Sequence, residues 1–263
     1  MITRTFVTTV LGLTLAFPAF ADVTIKQTAS GKALGLSGKH PGTAYIKGNK
    51  MRSDVVMGDR TLTTIFDVDA QKMYSFDSKK KEVDVWDMAA FAAELAKTVD
   101  VSSTTASLKP NGQTKQIGGQ TATGYDIEIT MPAALGGNNE MKMTVTLAGP
   151  VWIVKGAPGA ADYNGFYKAA VENGWIFSDP RGAKAQPGSA KAMAEMYKQV
   201  ADIGGIPYQT DVKIKFSGGG PMAGLMARMG GATLSTVVDS VETGPVPDDL
   251  FTPPAGYRVN QRK

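Results

Sequence analysis

The chain has no cysteine and a single histidine among its 263 residues. The first absence excludes disulfides, thiolate metal sites, cysteine nucleophiles and an N-terminal lipid-modified cysteine. The second excludes any site built from several imidazoles. A Ser-His-Asp arrangement would have to use His40 as its base, and no G-x-S-x-G turn exists to offer it a serine. Charge of one sign is lacking as well. Lys+Arg 28 stand against Asp+Glu 24, a net charge of +4, and the longest basic run is Lys79-Lys80-Lys81. So weak and scattered an excess is not the footprint of a nucleic-acid binder. Apolar runs are short, and none approaches the roughly 20 residues of a membrane-spanning helix. Gly218-Gly219-Gly220 is not followed by Gly-Lys-Ser/Thr, so it is not a phosphate loop.

What is present begins with an export leader. Met1 to Arg4 gives a short positive start, Phe6 to Phe17 an apolar stretch, and Ala19-Phe20-Ala21 a small-x-small cleavage pattern. Cleavage is predicted after Ala21, giving a mature chain that starts at Asp22 in a bacterial periplasm. Residues 22–263 are expected to form one domain with a helical insert at about 157–204. With 43% apolar and 20% charged residues the composition is that of a globular protein.

The mature chain reads as short strands at regular spacing. Val23 to Gln27 alternates apolar and polar with period two, as a half-buried strand does. Thr43–Gly48, Met51–Met57, Thr61–Val68, Lys72–Phe76 and Glu82–Trp86 follow, separated by turn signals at His40-Pro41-Gly42, Gly48-Asn49, Gly58-Asp59 and Asp69-Ala70. Gaps this short predict antiparallel hairpins. Asp87 to Ala96 is Ala-rich, with Asp87 as N-cap and Met88, Phe91 and Leu95 at helical spacing. Strands resume at Thr104–Leu108, Gln113–Ile117, Thr123–Met131 and Met141–Val154. Helices are predicted over Ala160–Asn173 and from about Ser189 to Ile203. Tyr208–Phe216 and Ala232–Val241 return to strand, and the proline-rich tail Pro245–Tyr257 reads as an extended closing segment. The fold class expected is mainly β with α: a half-open antiparallel β-barrel of about eleven strands, with helices covering its concave face.

Two stretches carry a family resemblance. One runs through Tyr45-Ile46-Lys47 and Met51-Arg52-Ser53-Asp54 to Thr64-Ile65-Phe66-Asp67 and Lys72-Met73-Tyr74-Ser75-Phe76-Asp77. The other is Gly205-Ile206-Pro207, then Val241 to Val246, then Leu250-Phe251-Thr252-Pro253-Pro254-Ala255-Gly256-Tyr257. Together they resemble a bacterial periplasmic family similar in plan to the lipoprotein-localisation carriers, the LolA/LolB-like superfamily. The resemblance implies an open β-barrel whose helices plug an apolar cavity, and in the carriers that cavity holds acyl chains. It implies a soluble periplasmic binding protein for an apolar or amphiphilic ligand, a lipid or acylated molecule, without covalent chemistry, cofactor or metal. Tyr74, Phe76, Trp86, Tyr125 and Trp152 would wall the cavity. Phe91 and Leu95, with Met222, Leu225, Met226 and Met229, would form its lid, and Arg52 would cap it with a charge. Arg52 reads equally as a cross-strand partner of an acid such as Asp67.

Other readings stay open. Met222, Met226 and Met229 recur at helical spacing, which suits a packed helix face, an adaptable lid for acyl chains, or a thioether site for copper. A ligand-free cell-envelope interaction or stress protein, with an envelope protein as partner, is the other alternative. His40 reads as an exposed loop residue. Asp67, Asp69 and Asp77 read as solvated turns rather than a Ca²⁺ or paired-carboxylate site. Lys79-Lys80-Lys81 is a turn that could touch anionic lipid. Trp86, Trp152 and Trp175 each need a partner for the indole N–H.

Overall fold

The computed structural model describes residues 22–33, 36–98, 104–134, 142–175, 187–218 and 232–262. Among the described residues, twelve strands form one open, barrel-like sheet with three α-helices. The first meander is β1 (Val23–Ala33), β2 (Leu36–Lys47), β3 (Lys50–Met57), β4 (Arg60–Asp67), β5 (Lys72–Asp77) and β6 (Glu82–Asp87). Helix α1 (Met88–Thr98) leads to the second: β7 (Thr105–Ile117), β8 (Gln120–Ala134) and β9 (Lys142–Lys155). Helices α2 (Ala160–Glu172) and α3 (Pro187–Ile203) connect β9 to β10 (Gly205–Gly218), followed by β11 (Ala232–Thr243), a short 3-10 helix (Asp248–Phe251) and β12 (Arg258–Arg262). The strand order is β12-β6-β5-β4-β3-β2-β1-β11-β10-β9-β8-β7, so β1 and β11 join the two meanders at the centre.

Local chemistry accounts for most of these elements. Gly48 and Gly58 take positive φ and open two-residue hairpin loops, and Gly118 and Gly119 do so together between β7 and β8. Asp87 caps α1 as expected, its Oδ1 accepting the Ala90 N–H at 2.9 Å. Three expectations fail. His40-Pro41-Gly42 lies inside β2, paired with Ala29, Thr28 and Gln27 of β1, because the ladder between β1 and β2 continues past it to Ala33 and Leu36. The two strands expected over 104–117 are one strand, β7, bulged between Pro110 and Thr114. β12 was not expected, and it pairs with β6 in parallel, since the closing segment crosses a whole sheet face before it arrives.

The sheet packs on both faces. Along one face runs the cross-strand row Trp86–Met73–Phe66–Met51–Ile46–Val23. These side chains join α1, α2 and α3 in the main core, on the inner face of the sheet. α2 is buried through Tyr163, Phe166, Tyr167 and Ala170, as its helical spacing predicts. One residue out of phase runs the row Val85–Tyr74–Ile65–Arg52–Tyr45. It forms a second cluster on the outer face, roofed by Val246, Leu250, Phe251 and Tyr257.

The β7 end of the sheet is guarded. On β7 the Gln199 side chain of α3 accepts the Leu108 N–H at 2.8 Å and donates to the Ala106 carbonyl at 3.1 Å, so one amide stands in for a neighbouring strand. Two residues on, at the next outward position, Pro110 has no N–H to offer.

Candidate functional site

The residues proposed for one cavity wall divide between the two faces. Trp86, Phe91 and Tyr125 belong to the inner core, 5%, 3% and 5% exposed, and the Trp86 and Phe91 rings meet edge to face with centroids 6.1 Å apart. Tyr74 and Phe76 lie on the outer face, where Phe76 meets Tyr257 edge to face at 5.7 Å. Trp152 is out of phase with Val151 and Tyr125. Its cross-strand neighbours are Gly124 and Gln209, and the Lys115 ammonium stands 4.2 Å from its ring centroid. Met222, Leu225, Met226 and Met229 lie outside the described residues, as does the side chain of Leu95.

Arg52 neither caps the inner face nor pairs with Asp67. Its Nε donates to both oxygens of Asp54 at 3.0 Å, and its Nη1 donates to the Leu250 carbonyl at 3.0 Å. Asp67 pairs with Lys50 at 3.1 Å. Positions 52 and 54 share a strand face, so the nearest acid wins over the cross-strand one. The guanidinium therefore clamps the closing segment to the outer face. Lys47 adds a second clamp, donating to the Val246 carbonyl at 2.9 Å and pairing with Asp248 at 2.9 Å. The hydrogen bond from Lys47 holds the Asp248 carboxyl below its usual range. Arg52→Ala is expected to lose about 1–3 kcal/mol, because Asp54 and the Leu250 carbonyl lose a charged donor. Amide exchange should rise first over residues 246–251. Unchanged exchange there would show that Arg52 does not hold the segment.

The inner face is filled near α2 by an aromatic stack. Tyr167 lies parallel to Tyr197 with centroids 4.3 Å apart, meets Tyr163 at 4.7 Å, and its hydroxyl donates to the Met51 sulfur at 3.7 Å. Burial pushes the phenols of Tyr163, Tyr167 and Tyr197 above their ordinary value, so they stay neutral. Trp86 and Trp175 carry buried indole N–H groups without a hydrogen-bond partner.

A cavity of about 640 Å³ is built across β1, β11, β10 and β9. Gly31, Leu234, Val212 and Gly149 sit side by side there. Two glycines at its wall allow close backbone approach: a Cβ at Gly31 would collide with the Thr233 carbonyl, and one at Gly149 with the Asp211 carbonyl. Asp211 and Lys213 bring charge to its lining. The Asp211 carboxylate accepts from Gln209 and from Ser235, each at 2.5 Å, whereas Lys213 enters no ion pair among the described residues. Sequence reasoning missed this site. Its signal was two glycines inside otherwise regular strands.

A second cavity, about 450 Å³, lies at β4–β6 beside β12 and is lined by balanced charges. Arg60 pairs with Asp77 at 3.2 Å and Arg262 with Asp84 at 2.8 Å. Asp69 accepts from Asn49 at 2.8 Å, so Asp67, Asp69 and Asp77 each hold a separate turn or strand contact. Among the described residues no three His, Cys, Asp or Glu side chains converge as a metal site. None of the described helices is long and apolar enough to cross a membrane.

No protein-family model matches the chain, and no curated protein sequence matches it. Solved structures give loose likenesses. One is PNGF-II, at 10% identity and a TM-score of 0.37, covering 92% of this chain and 31% of that one. The chain thus spans 31% of the length of that neighbour. Another is a domain solved as a candidate outer membrane lipoprotein-sorting protein from Vibrio parahaemolyticus, at 6% identity and a TM-score of 0.31, covering 89% of this chain and 90% of that one. Superpositions this loose assign no family to the chain.

Proposed function

We propose that the chain is a periplasmic binding protein for an apolar or amphiphilic molecule, a lipid or an acylated compound, held by burial and released unchanged. The observation that carries this reading is the cavity of about 640 Å³ between Gly31, Leu234, Val212 and Gly149. Its size falls within the range of small-molecule sites, roughly 300–1,000 Å³, and apolar Ala148, Pro150, Val212 and Leu234 share its lining with polar residues. Such a site grips a chain by removing CH₂ groups from water and needs no reacting group. The two glycines keep backbone rather than side chain at the walls, which leaves a smooth trough. Export through the predicted leader would place the cavity among envelope lipids.

The test is a chain-length series. Neutral alkan-1-ols from octanol to dodecanol, titrated calorimetrically into the mature chain, are expected to bind more tightly with each CH₂, by up to about fourfold per group at roughly 0.8 kcal/mol. The gain should level off when the trough is full. Affinities that are absent, or that do not climb with length, would sink the reading and favour an envelope protein without a ligand.

A further inference from the structure

The smaller cavity, about 450 Å³, continues the inner face beyond its apolar row. Arg60, Leu62 and Thr64 lie at steps of two from Phe66 on β4. Ser75 and Asp77 stand in the same phase as Met73 on β5, and Glu82 and Asp84 in the same phase as Trp86 on β6. Arg262 of β12 is in register with Trp86. These residues line the cavity together with Lys80, from the turn between β5 and β6, and Phe76, the one strand residue out of phase. The inner face thus passes from Phe66, Met73 and Trp86 to hydroxyls and charges within two residues.

Three acids and three cations share the lining, but they do not cancel pair by pair. Asp77 accepts from Arg60 at 3.2 Å and from the Lys79 backbone N–H at 2.9 Å. Asp84 accepts from the Arg262 Nε at 2.9 Å and from Asn260 at 3.3 Å. Glu82 is engaged by Arg258 and Asn260, which both lie outside the lining. Lys80 is left with no ion pair among the described residues. The unused capacity is therefore of one kind. Arg60 gives one N–H to Asp77 and Arg262 gives two to Asp84, out of five on each guanidinium. Thr64 and Ser75 face each other across the ladder, and neither hydroxyl makes a hydrogen bond among the described residues. The Lys80 turn is fixed: its N–H donates to the Asp77 carbonyl at 3.1 Å, and the Lys81 carbonyl accepts the Arg258 N–H at 3.0 Å. The ammonium stands beside the cavity without any backbone reordering.

We infer that this cavity binds a phosphate group carried on a small ester, with Lys80, Arg60, Arg262 and the Thr64 and Ser75 hydroxyls as donors. These donors come from β4, β5, β12 and a turn, hence from several sides. A phosphate monoester offers three terminal oxygens in a tetrahedron and can accept from all of them, whereas a planar carboxylate offers two. A volume of about 450 Å³ leaves room for the group esterified to it. The site lies strands away from the larger cavity and does not depend on what that cavity holds.

The test is calorimetric titration of the mature chain with glycerol 3-phosphate, and with glycerate as the carboxylate counterpart. Glycerol 3-phosphate is expected to bind about tenfold more tightly than glycerate, and to weaken as salt is raised. Lys80→Met, at an exposed turn residue without an ion pair, should weaken phosphate-ester binding about tenfold. Thr64→Val removes a hydroxyl that has no protein partner, and should weaken it about fivefold. Lys168→Met, on the exposed side of α2, should leave it unchanged. Glycerol 3-phosphate that does not bind, glycerate that binds as tightly, or equal losses in Lys80→Met and Lys168→Met would each overturn the site. Vesicles of phosphatidic acid carry the same phosphate on a lipid. Cosedimentation that glycerol 3-phosphate reverses supports the site with lipid head groups as the source. Binding of the soluble ester without cosedimentation supports it with a free phosphate ester.

Discussion

Gly149→Ala is expected to destabilise the protein by about 3 kcal/mol or more, the upper end of what overpacking costs. The added Cβ would run into the Asp211 carbonyl of the neighbouring strand. A flexible side chain could swing aside, but this obstacle is backbone held in the ladder between β9 and β10. Relief would require parting the two strands at the wall of the large cavity. For a chain of this length such a loss lowers the thermal midpoint by roughly 6–12 °C. The contrast is Gly165→Ala. Gly165 sits inside α2, and a Cβ there meets nothing within 4 Å. That substitution should stabilise by about 0.5–1 kcal/mol, by removing unfolded-chain freedom and adding helix propensity. Urea titrations of both variants decide it. A neutral Gly149→Ala would mean the two strands do not approach each other as described.

Trp175→Ala is expected to cost about 3–5 kcal/mol. Trp175 follows α2 and is 1% exposed; its backbone N–H donates to the Ala170 carbonyl at 2.8 Å and its ring meets Phe66 edge to face at 6.1 Å. Truncation leaves a void where the end of α2 reaches the sheet, and the surrounding strands cannot collapse to fill it. Trp175→Phe should cost far less, about 1 kcal/mol. Part of the lost packing is offset, because the indole N–H is buried without a partner and phenylalanine removes it. Denaturant unfolding monitored by far-UV circular dichroism separates the two. Equal losses would contradict an unpartnered indole N–H, and a loss under about 1 kcal/mol for the alanine variant would show that α2 docks weakly.

The strand count and the hairpins were largely legible because the signals are local. Two-residue turns at Gly48-Asn49 and Gly58-Asp59 fix antiparallel neighbours within a few residues. The α2 face was legible for the same reason, since Tyr163, Phe166, Tyr167 and Ala170 repeat at helical spacing and are buried. The division of Tyr74 and Phe76 from Trp86 was not legible. In β5 both Met73 and the Tyr74–Phe76 pair are apolar, and in β6 both Val85 and Trp86 are. A strand apolar on both sides announces two covered faces without saying what covers each. Here the outer cover is the segment from Val246 to Tyr257, some 170 residues later in the chain than Phe76.

The candidate site was hidden for a related reason. Gly31 and Gly149 lie far apart in sequence and become opposite walls only when β1, β11, β10 and β9 assemble side by side. His40 looked like part of a turn because Pro41-Gly42 follows it, yet pairing with β1 outweighs that local preference. By itself the sequence determined the class: alternating strands, short hairpins, an apolar helical plug, and no cysteine or second histidine for covalent or metal chemistry. Only the tertiary structure decided which apolar residues share a face and where the sheet leaves room. Alternation and turn chemistry act over a few residues, whereas the assignment of faces and cavities depends on strands that meet across most of the chain's length.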